Sequence, residues 1–599
     1  MARFTTLSLI TGIAVSVAIV TLSSPANALP SNAQKEIRGT EHAGFSEYFR
    51  NLASRHKLSM PESESEASIS SKIRLSADTE NAKFQYSKTL GNWIHSDGLS
   101  DNAHELIRAI KNAKNHGLNP QAYQLSEINS AVDLFVHHLV KTEATRSTKG
   151  RIPTTSEIAL NIQLNILFET SFLQLVDHLG QGVVDGRNIQ KRLYRDPPQI
   201  DAFQLLQSVK NDELSVSEAL SLVTPTHPGY QRLMHAMSEL LTEHASGAQR
   251  TKVATYEEAQ AKSPFDDQHQ LRKRLMETGD LTPDAAPGIG PNAELSSALK
   301  AFQARRGLEQ DGYANENTRA ALNASVTDEI EAVAMSLERY RWLPRDLGNR
   351  HIFINIPDYT VSLIENTRTT LTMPAVVGKY KHQTPEFSRD MSYMEYNPTW
   401  TVPRKIAQKA LIPKERETPG YLVARDFVFL KEVDNQLVKV PTNTVTQSDF
   451  NAEYFPYTLR QRGGPLNALG RMKFMMPNKY AIYLHDTPVQ SHFSLHKRAY
   501  SYGCVRLADP NALAQALMLG DGYDQNAIDK SMQSEKTHRI EFRQPIPTHL
   551  VYLTAWVDEN NVLQTRPDVY DNDEILLNAL REFDTVLSIM NTQLYGHSG

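Results

Sequence analysis

The hydrophobic pattern of this 599-residue chain changes period once, near Arg350, and that change separates what can fold as helix from what can fold as sheet. Upstream, apolar residues recur at three- and four-residue spacing. Leu106, Ile110 and Ala113 share one helical face, and Gly117-Leu118-Asn119-Pro120 stops that helix. A second long helix is predicted from Thr155 to Leu179, carrying Ile158, Ile162, Ile166, Phe172 and Leu175, and ended by Gly180 and Gly182. Downstream, β-branched residues come in short runs punctuated by Gly and Pro: His351–Pro357, Thr360–Leu363, Thr370–Val377, Met394–Val402 and Tyr480–His485. The expected fold class is multidomain α+β, a helical scaffold followed by a mostly-β domain of sandwich or small-barrel type. Such a length exceeds a single core, so three or four domains are expected.

The first residues read as an export signal: Arg3, an apolar run from Leu7 to Leu22, then Ala26-Asn27-Ala28 in the A-x-A cleavage pattern. Residues 1–28 are expected to be removed, with retention as a membrane anchor the alternative. Residues 29–76 carry much Ser and Glu without apolar periodicity and are expected to form a spacer. The scaffold is expected over 77–262. Between 268 and 325 lies a compact three-helix unit, in which Leu271 and Leu275 begin one helix and Leu295, Leu299 and Phe302 stripe the next. Its run from Leu299 through Phe302, Gly307-Leu308 and Asp311-Gly312 resembles the small peptidoglycan-binding domain of cell-wall enzymes. A connecting helix is expected over 326–349 and the mostly-β domain over 350–575. That domain has an inserted lid of mixed helix and loop at about 404–463, and 576–599 form a C-terminal helix or tail. The net charge of −5 gives no reason to expect nucleic-acid binding. Arg272-Lys273-Arg274 and Arg305-Arg306 read as solvated helix faces.

Cys504 is the only cysteine, so behind an export signal it has no internal disulfide partner. A lone thiol is either a small buried hydrophobe or a nucleophile. Its surroundings favour the nucleophile. An ordinary thiol is mostly protonated at neutral pH and needs a base. His485, ending an apolar strand before the turn Asp486-Thr487-Pro488, is the best placed candidate, ahead of His492 and His496 in the intervening loop. Gly503 allows close approach of a substrate carbonyl, and the N–H groups of Gly503 and Cys504 offer an oxyanion hole. On a strand Arg506 shares a face with Cys504, where it grips a substrate carboxylate or closes an internal salt bridge. Trp400, Tyr483 and Phe474 either stack on substrate or belong to the core.

These residues carry a specific resemblance. Leu484-His485-Asp486-Thr487-Pro488 followed by Ser501-Tyr502-Gly503-Cys504-Val505-Arg506-Leu507 is similar to the signature of the L,D-transpeptidase (YkuD-type) catalytic domain. So are Asn397-Pro398-Thr399-Trp400 with Val402-Pro403, Gly464 to Gly470, Leu337 to Pro344, and Val551 to Trp556. With the scaffold and the three-helix unit, the chain resembles the large periplasmic, Gram-negative form of that family. Where many members carry a second histidine, this chain has Tyr502, which leaves His485 as the single base.

The resemblance implies that Cys504, deprotonated by His485, attacks a tetrapeptide stem at its third residue, releasing D-Ala and leaving a thioester. The amine of a second stem then completes a 3→3 cross-link. Water as acceptor gives L,D-carboxypeptidase activity, and a protein amine gives lipoprotein attachment. It also implies a periplasmic location and acylation of Cys504 by carbapenem-type β-lactams. Arg506, Tyr502, Ser501, Trp400 and Tyr483 are the expected substrate contacts. No cofactor or metal is implied, since one thiol builds no thiolate site and no ligand spacing is present. A cell-wall cysteine peptidase and a non-catalytic peptidoglycan-binding protein remain the other readings.

Overall fold

The computed structural model describes residues 92–95, 98–144, 155–282, 293–452 and 454–582. The expected signal, the spacer and the tail beyond Glu582 lie outside the described residues. The chain forms two units, one comprising residues up to Ala113, Asn119–His178 and Ile200–Val223, the other Lys114–Leu118, Leu179–Gln199 and the chain from Thr224.

Among its described residues the first unit has helices and one antiparallel strand pair, β1 (Ile94–His95) and β2 (Gly98–Leu99). The Ser100 side chain caps the helix Asp101–Asn112 by accepting from the Ala103 N–H, and Leu106 and Ile110 are fully buried. The long helix spans Thr155–Gln181. Ile158, Ile162 and Ile166 are half-buried, whereas every side chain from Leu167 to His178 is buried, polar ones such as Glu169 and Asp177 included.

In the second unit, helices Pro264–Glu277, Ala293–Arg305 and Glu316–Leu322 pack Leu271, Leu275, Leu295, Leu299 and Phe302 into one core. The neighbouring arginines are not solvated as their sequence suggests. Arg272, Arg274, Arg305 and Arg306 are buried. The Arg274 Nε donates to the Leu322 carbonyl at 2.7 Å, Arg305 pairs with Asp280 at 2.5 Å, and Arg306 pairs with Glu329. The helix Val326–Arg341 opens on a capping box between Ser325 and Asp328. Its Glu338 is fully buried, accepts the Val184 N–H at 2.8 Å and pairs with Arg341 at 2.6 Å. The Leu337–Pro344 motif is thus framework.

The mostly-β domain is a closed barrel. Its strands are β3 (Arg350–Asn355), β4 (Thr360–Glu365), β5 (Arg368–Gly378), β6 (Phe387–Tyr396), β11 (Met472–Met475), β12 (Leu484–His485), β13 (Ala499–Ser501), β14 (Val505–Leu507) and β15 (His538–Val551). They lie in the order β13-β5-β14-β12-β11-β6-β15-β3-β4, and β4 pairs again with β5 to close the sheet. Ile352, Leu363, Phe387, Phe474, Leu484 and Val505 fill the core, with Leu513 and Leu517 of the helix Pro510–Gly520 against it.

Two expected strands and the insertion are revised. The Met394–Val402 run breaks at Asn397, whose φ is +42°, so β6 stays in the barrel while β7 (Trp400–Thr401) leaves it. The Tyr480–His485 run keeps only its last two residues as strand. The Asn478 side chain accepts from the N–H groups of Tyr480 at 3.0 Å and Ile482 at 3.2 Å, and Ala481 sits at φ +56°, so the first half is held as a turn. The insertion is more than helix and loop. β7, β8 (Phe427–Val433), β9 (Gln436–Val440) and β10 (Thr458–Gln461) form a second sheet in the order β7-β10-β8-β9. Phe427, Phe429, Phe450 and Leu459 give it a core of its own. Asp434 and Asn435, both at positive φ, make its hairpin turn. No helix among the described residues is long and apolar enough to cross a membrane.

Candidate active site

β12 and β14 run side by side and parallel, with Leu484 opposite Val505 and His485 opposite Arg506. Side chains alternate along a strand. Leu484 and Val505, both fully buried, point into the barrel, so Tyr483, His485, Cys504 and Arg506 share the other face. Parallel neighbours require a crossover, and the chain from Asp486 to Gly503 supplies it. Burying those two apolar side chains stabilises the register by about 1.5–3 kcal/mol each. A slip of one residue in either strand would turn its two site side chains into the core.

The loop before the thiol is braced from both ends. The Ser501 Oγ donates to the Cys504 carbonyl at 2.6 Å and accepts the Gly503 N–H at 3.0 Å. The Gly503 carbonyl accepts from the Thr384 Oγ1 at 2.8 Å. Gly503 holds φ +115°, and a Cβ there would meet the Ile482 Cδ1 at 3.2 Å, so this position requires glycine. Because the Gly503 N–H is already engaged by Ser501, the expected two-donor oxyanion hole is revised. The Cys504 N–H is the donor of that pair with no hydrogen bond among the described residues.

Cys504 is half-buried, with its Sγ 3.6 Å from the Ala481 carbonyl. Both the Tyr483 N–H and its hydroxyl hydrogen-bond the sulfur, and the Trp400 indole in turn hydrogen-bonds the Tyr483 hydroxyl. Burial pushes the thiol up to about 11, opposed by the two Tyr483 donors and by the charges of Lys473 and Arg506. The His485 ring is buried, and its Nδ1 lies 2.5 Å from the Asp486 carbonyl. A carbonyl can only accept, so Nδ1 carries the proton and Nε2 presents the lone pair. Burial first, then the Arg506 charge, lowers this imidazole to about 3. At neutral pH the pair is therefore thiol and neutral imidazole.

Arg506 forms no ion pair with a carboxylate among the described residues, against the salt-bridge alternative. Its Nη1 lies 3.4 Å from the His492 Nδ1, and its buried Nε has no partner among the described residues. His492 thus faces Arg506 and stacks on Tyr500 at 4.8 Å. His496 is exposed. Tyr502 is 41% exposed and carries the ring of His382 at 4.7 Å and the Nζ of Lys379 at 4.2 Å. An imidazole therefore stands beside the position of the absent second histidine, contributed from the short helical turn Tyr380–His382 that follows β5. Phe474 is fully buried in the barrel core. Thr384, His382 and Lys379 escaped sequence reasoning because they lie over 100 residues before Cys504 and carry no recognisable spacing. Asp486 is turn chemistry: it accepts the N–H groups of Arg471 at 2.7 Å and Thr487 at 2.6 Å. No group of three His, Cys, Asp or Glu among the described residues is arranged to hold a metal ion.

Residues 349–527 match the profile of the L,D-transpeptidase catalytic domain (YkuD), and the four-residue face lies inside that match. Residues 90–237 match a scaffold domain and 268–322 a "Putative peptidoglycan binding domain". The chain thus carries a YkuD-type L,D-transpeptidase catalytic domain joined to a peptidoglycan-binding type of domain. It is 33% identical over 256 residues to a "Putative L,D-transpeptidase" of Haemophilus influenzae, which covers 43% of this chain. The chain spans about half the length of that relative (51%). Among solved structures it is similar to an L,D-transpeptidase from Mycobacterium smegmatis at 12% identity, over 34% of this chain and 58% of that one, with a TM-score of 0.17. An L,D-transpeptidase from Stackebrandtia nassauensis matches at 11% identity, over 47% and 88%, with a TM-score of 0.19.

Proposed function

We propose that the protein is an L,D-transpeptidase that forms 3→3 cross-links in peptidoglycan through a Cys504 thioester. The observation that carries this reading is the single face holding Tyr483, His485, Cys504 and Arg506 on the parallel β12–β14 pair. The His485 Nε2 takes the thiol proton as the sulfur attacks the carbonyl of the third stem residue. The Cys504 N–H and the Tyr483 donors offset the negative charge that develops. The C–N bond to D-Ala breaks, and the leaving amine takes the proton back from the imidazolium. The side-chain amine of a second stem then attacks the thioester, and the thiolate departs and is reprotonated. A neutral pair at rest suits this sequence, since the imidazole is already the base and the sulfur ionises only as substrate arrives. The unpartnered Arg506 Nε matches the carboxylate of the departing D-Ala. Acting on wall peptides places the protein outside the cytoplasm. The insertion borders the site through Trp400 and serves as its lid.

The test is incubation of wild type and Cys504→Ser with disaccharide-tetrapeptide, reading products by mass. Dimer minus D-Ala in wild type alone is expected. Hydrolysed tripeptide with no dimer would instead make the protein a carboxypeptidase. A carbapenem-type inhibitor should add its mass to wild type and not to Cys504→Ser. Absence of both adduct and product would leave a wall-binding protein.

A further inference from the structure

The Tyr502 flank of Cys504 gathers positive side chains, and none of Lys379, Lys405, Lys409 and Arg192 pairs with a carboxylate among the described residues. Lys379 lies over the Tyr502 ring at 4.2 Å and the His382 ring lies tilted against it at 4.7 Å, leaving that tyrosine 41% exposed. The charges that act most strongly on His382 are all positive, from Lys379, Lys405, Lys409 and Arg192. Lys405 and Lys409 are exposed and lie four residues apart on the first helical segment of the insertion, where Ala407–Leu411 widens into a π-helical turn. Such turns concentrate at functional sites. Gathering like charges around an exposed aromatic ring costs free energy unless an anion arrives.

Two peptide strands must reach this thiol in succession. Arg506 offers a buried Nε that suits one terminal carboxylate, held before D-Ala leaves. The opposite rim is open and multiply charged, which suits a strand that enters afterwards and leaves as product. Resting on the transpeptidase reading above, we infer that Lys379 and His382, together with Lys405 and Lys409 of the insertion, form the acceptor subsite and recognise the carboxylates of the second peptide stem. Tyr502 supplies the platform for the Lys379 ammonium and the His382 ring. The residues act on binding and positioning of the acceptor amine, while proton transfer stays with His485.

The experiment uses the full chain with a fixed tetrapeptide donor and two acceptors, a stem tripeptide with free carboxylates and the same peptide amidated. Wild type is expected to use the free acid about tenfold better in kcat/KM. Lys379→Ala/His382→Gln and, separately, the exposed pair Lys405→Ala/Lys409→Ala should reduce that preference below about twofold by raising the KM for the acid form. D-Ala release without acceptor, which reports thioester formation, should fall less than twofold. The proposal is overturned if either pair keeps the wild-type preference, or if D-Ala release falls in parallel with transfer. Wild type that releases no D-Ala at all would overturn the transpeptidase reading itself, an outcome visible before any acceptor is added.

Discussion

Replacing Tyr483 by phenylalanine isolates the contact that most directly tunes the Cys504 thiol. The ring stays: it lies 5.7 Å from His485 and carries the Lys473 Nζ at 4.7 Å, so packing beside the base is retained. What goes is the hydroxyl that hydrogen-bonds the Cys504 Sγ and accepts from the Trp400 side chain. A hydrogen bond to a charged partner contributes about 1.5–3 kcal/mol, and this one reaches full strength only when the sulfur is an anion. At about 1.4 kcal/mol per decade, acylation should slow by roughly 10- to 150-fold. The sign of the pH effect follows. Burial already holds the thiol at about 11 and the hydroxyl opposes that shift, so its loss raises the thiol further. With thiol and neutral imidazole as the resting pair, the acylation rate should stay level between about pH 6 and 10 in both proteins, while ionisation of the free thiol moves to higher pH by about one unit. Mass-resolved acylation by a carbapenem-type β-lactam measures the rate, and thiolate absorbance under an alkaline titration measures the ionisation. A rate change under twofold with an unmoved ionisation would refute the assigned role.

Other outcomes follow from the same geometry. Ser501→Ala leaves the buried Gly503 N–H without its acceptor and should cost about 1–3 kcal/mol of stability, read by denaturant melts, with slower acylation. Gly503→Ala must hold φ +115° and crowd Ile482, and should cost about 1–3 kcal/mol in backbone strain with loss of turnover. His116, His485 and His549 are lowered by burial to about 3 and His227 to about 4. The unfolded chain takes up these protons near pH 6.5 and the folded chain does not. Stability should therefore be lost as pH falls below 6.5, by up to about 1.4 kcal/mol per unit for each ring, until their folded values are reached. Thermal melts from pH 7.5 to 5 check this, and His549→Gln should flatten the slope.

The sequence disclosed the site wherever its chemistry is local. Ser501, Gly503, Cys504 and Arg506 lie within six residues, and the short run ending at His485 marks a strand edge beside them. The role of Tyr483 was less visible, because an aromatic in an apolar run reads equally as core. Only the β12–β14 pairing sets its N–H and hydroxyl against the sulfur. His382 and Thr384 were hidden altogether, since the segment after β5 meets Tyr502 and Gly503 through contacts spanning more than 100 residues. The second sheet was missed for another reason. Its strands are charged, and its hairpin turns on Asp434-Asn435 without the glycine that usually marks such a turn. The buried arginines around Phe302 show the same limit, because local sequence does not reveal Asp280 or Glu329 as partners.

The antiparallel rungs that join Trp400 to Gln461 and Thr401 to Arg460 have a consequence for the architecture of such enzymes. The chain departs into the second sheet and comes back at adjacent backbone positions, roughly 5 Å apart across the ladder. Everything beyond those rungs, including the second core, hangs from the barrel as a cassette on a narrow neck. It can be exchanged or trimmed between relatives without moving β12 or β14. The neck itself cannot, because Trp400 sits in it and reaches the sulfur through Tyr483. Variation should therefore accumulate distal to the neck, where the second sheet can change while the face on β12 and β14 is kept.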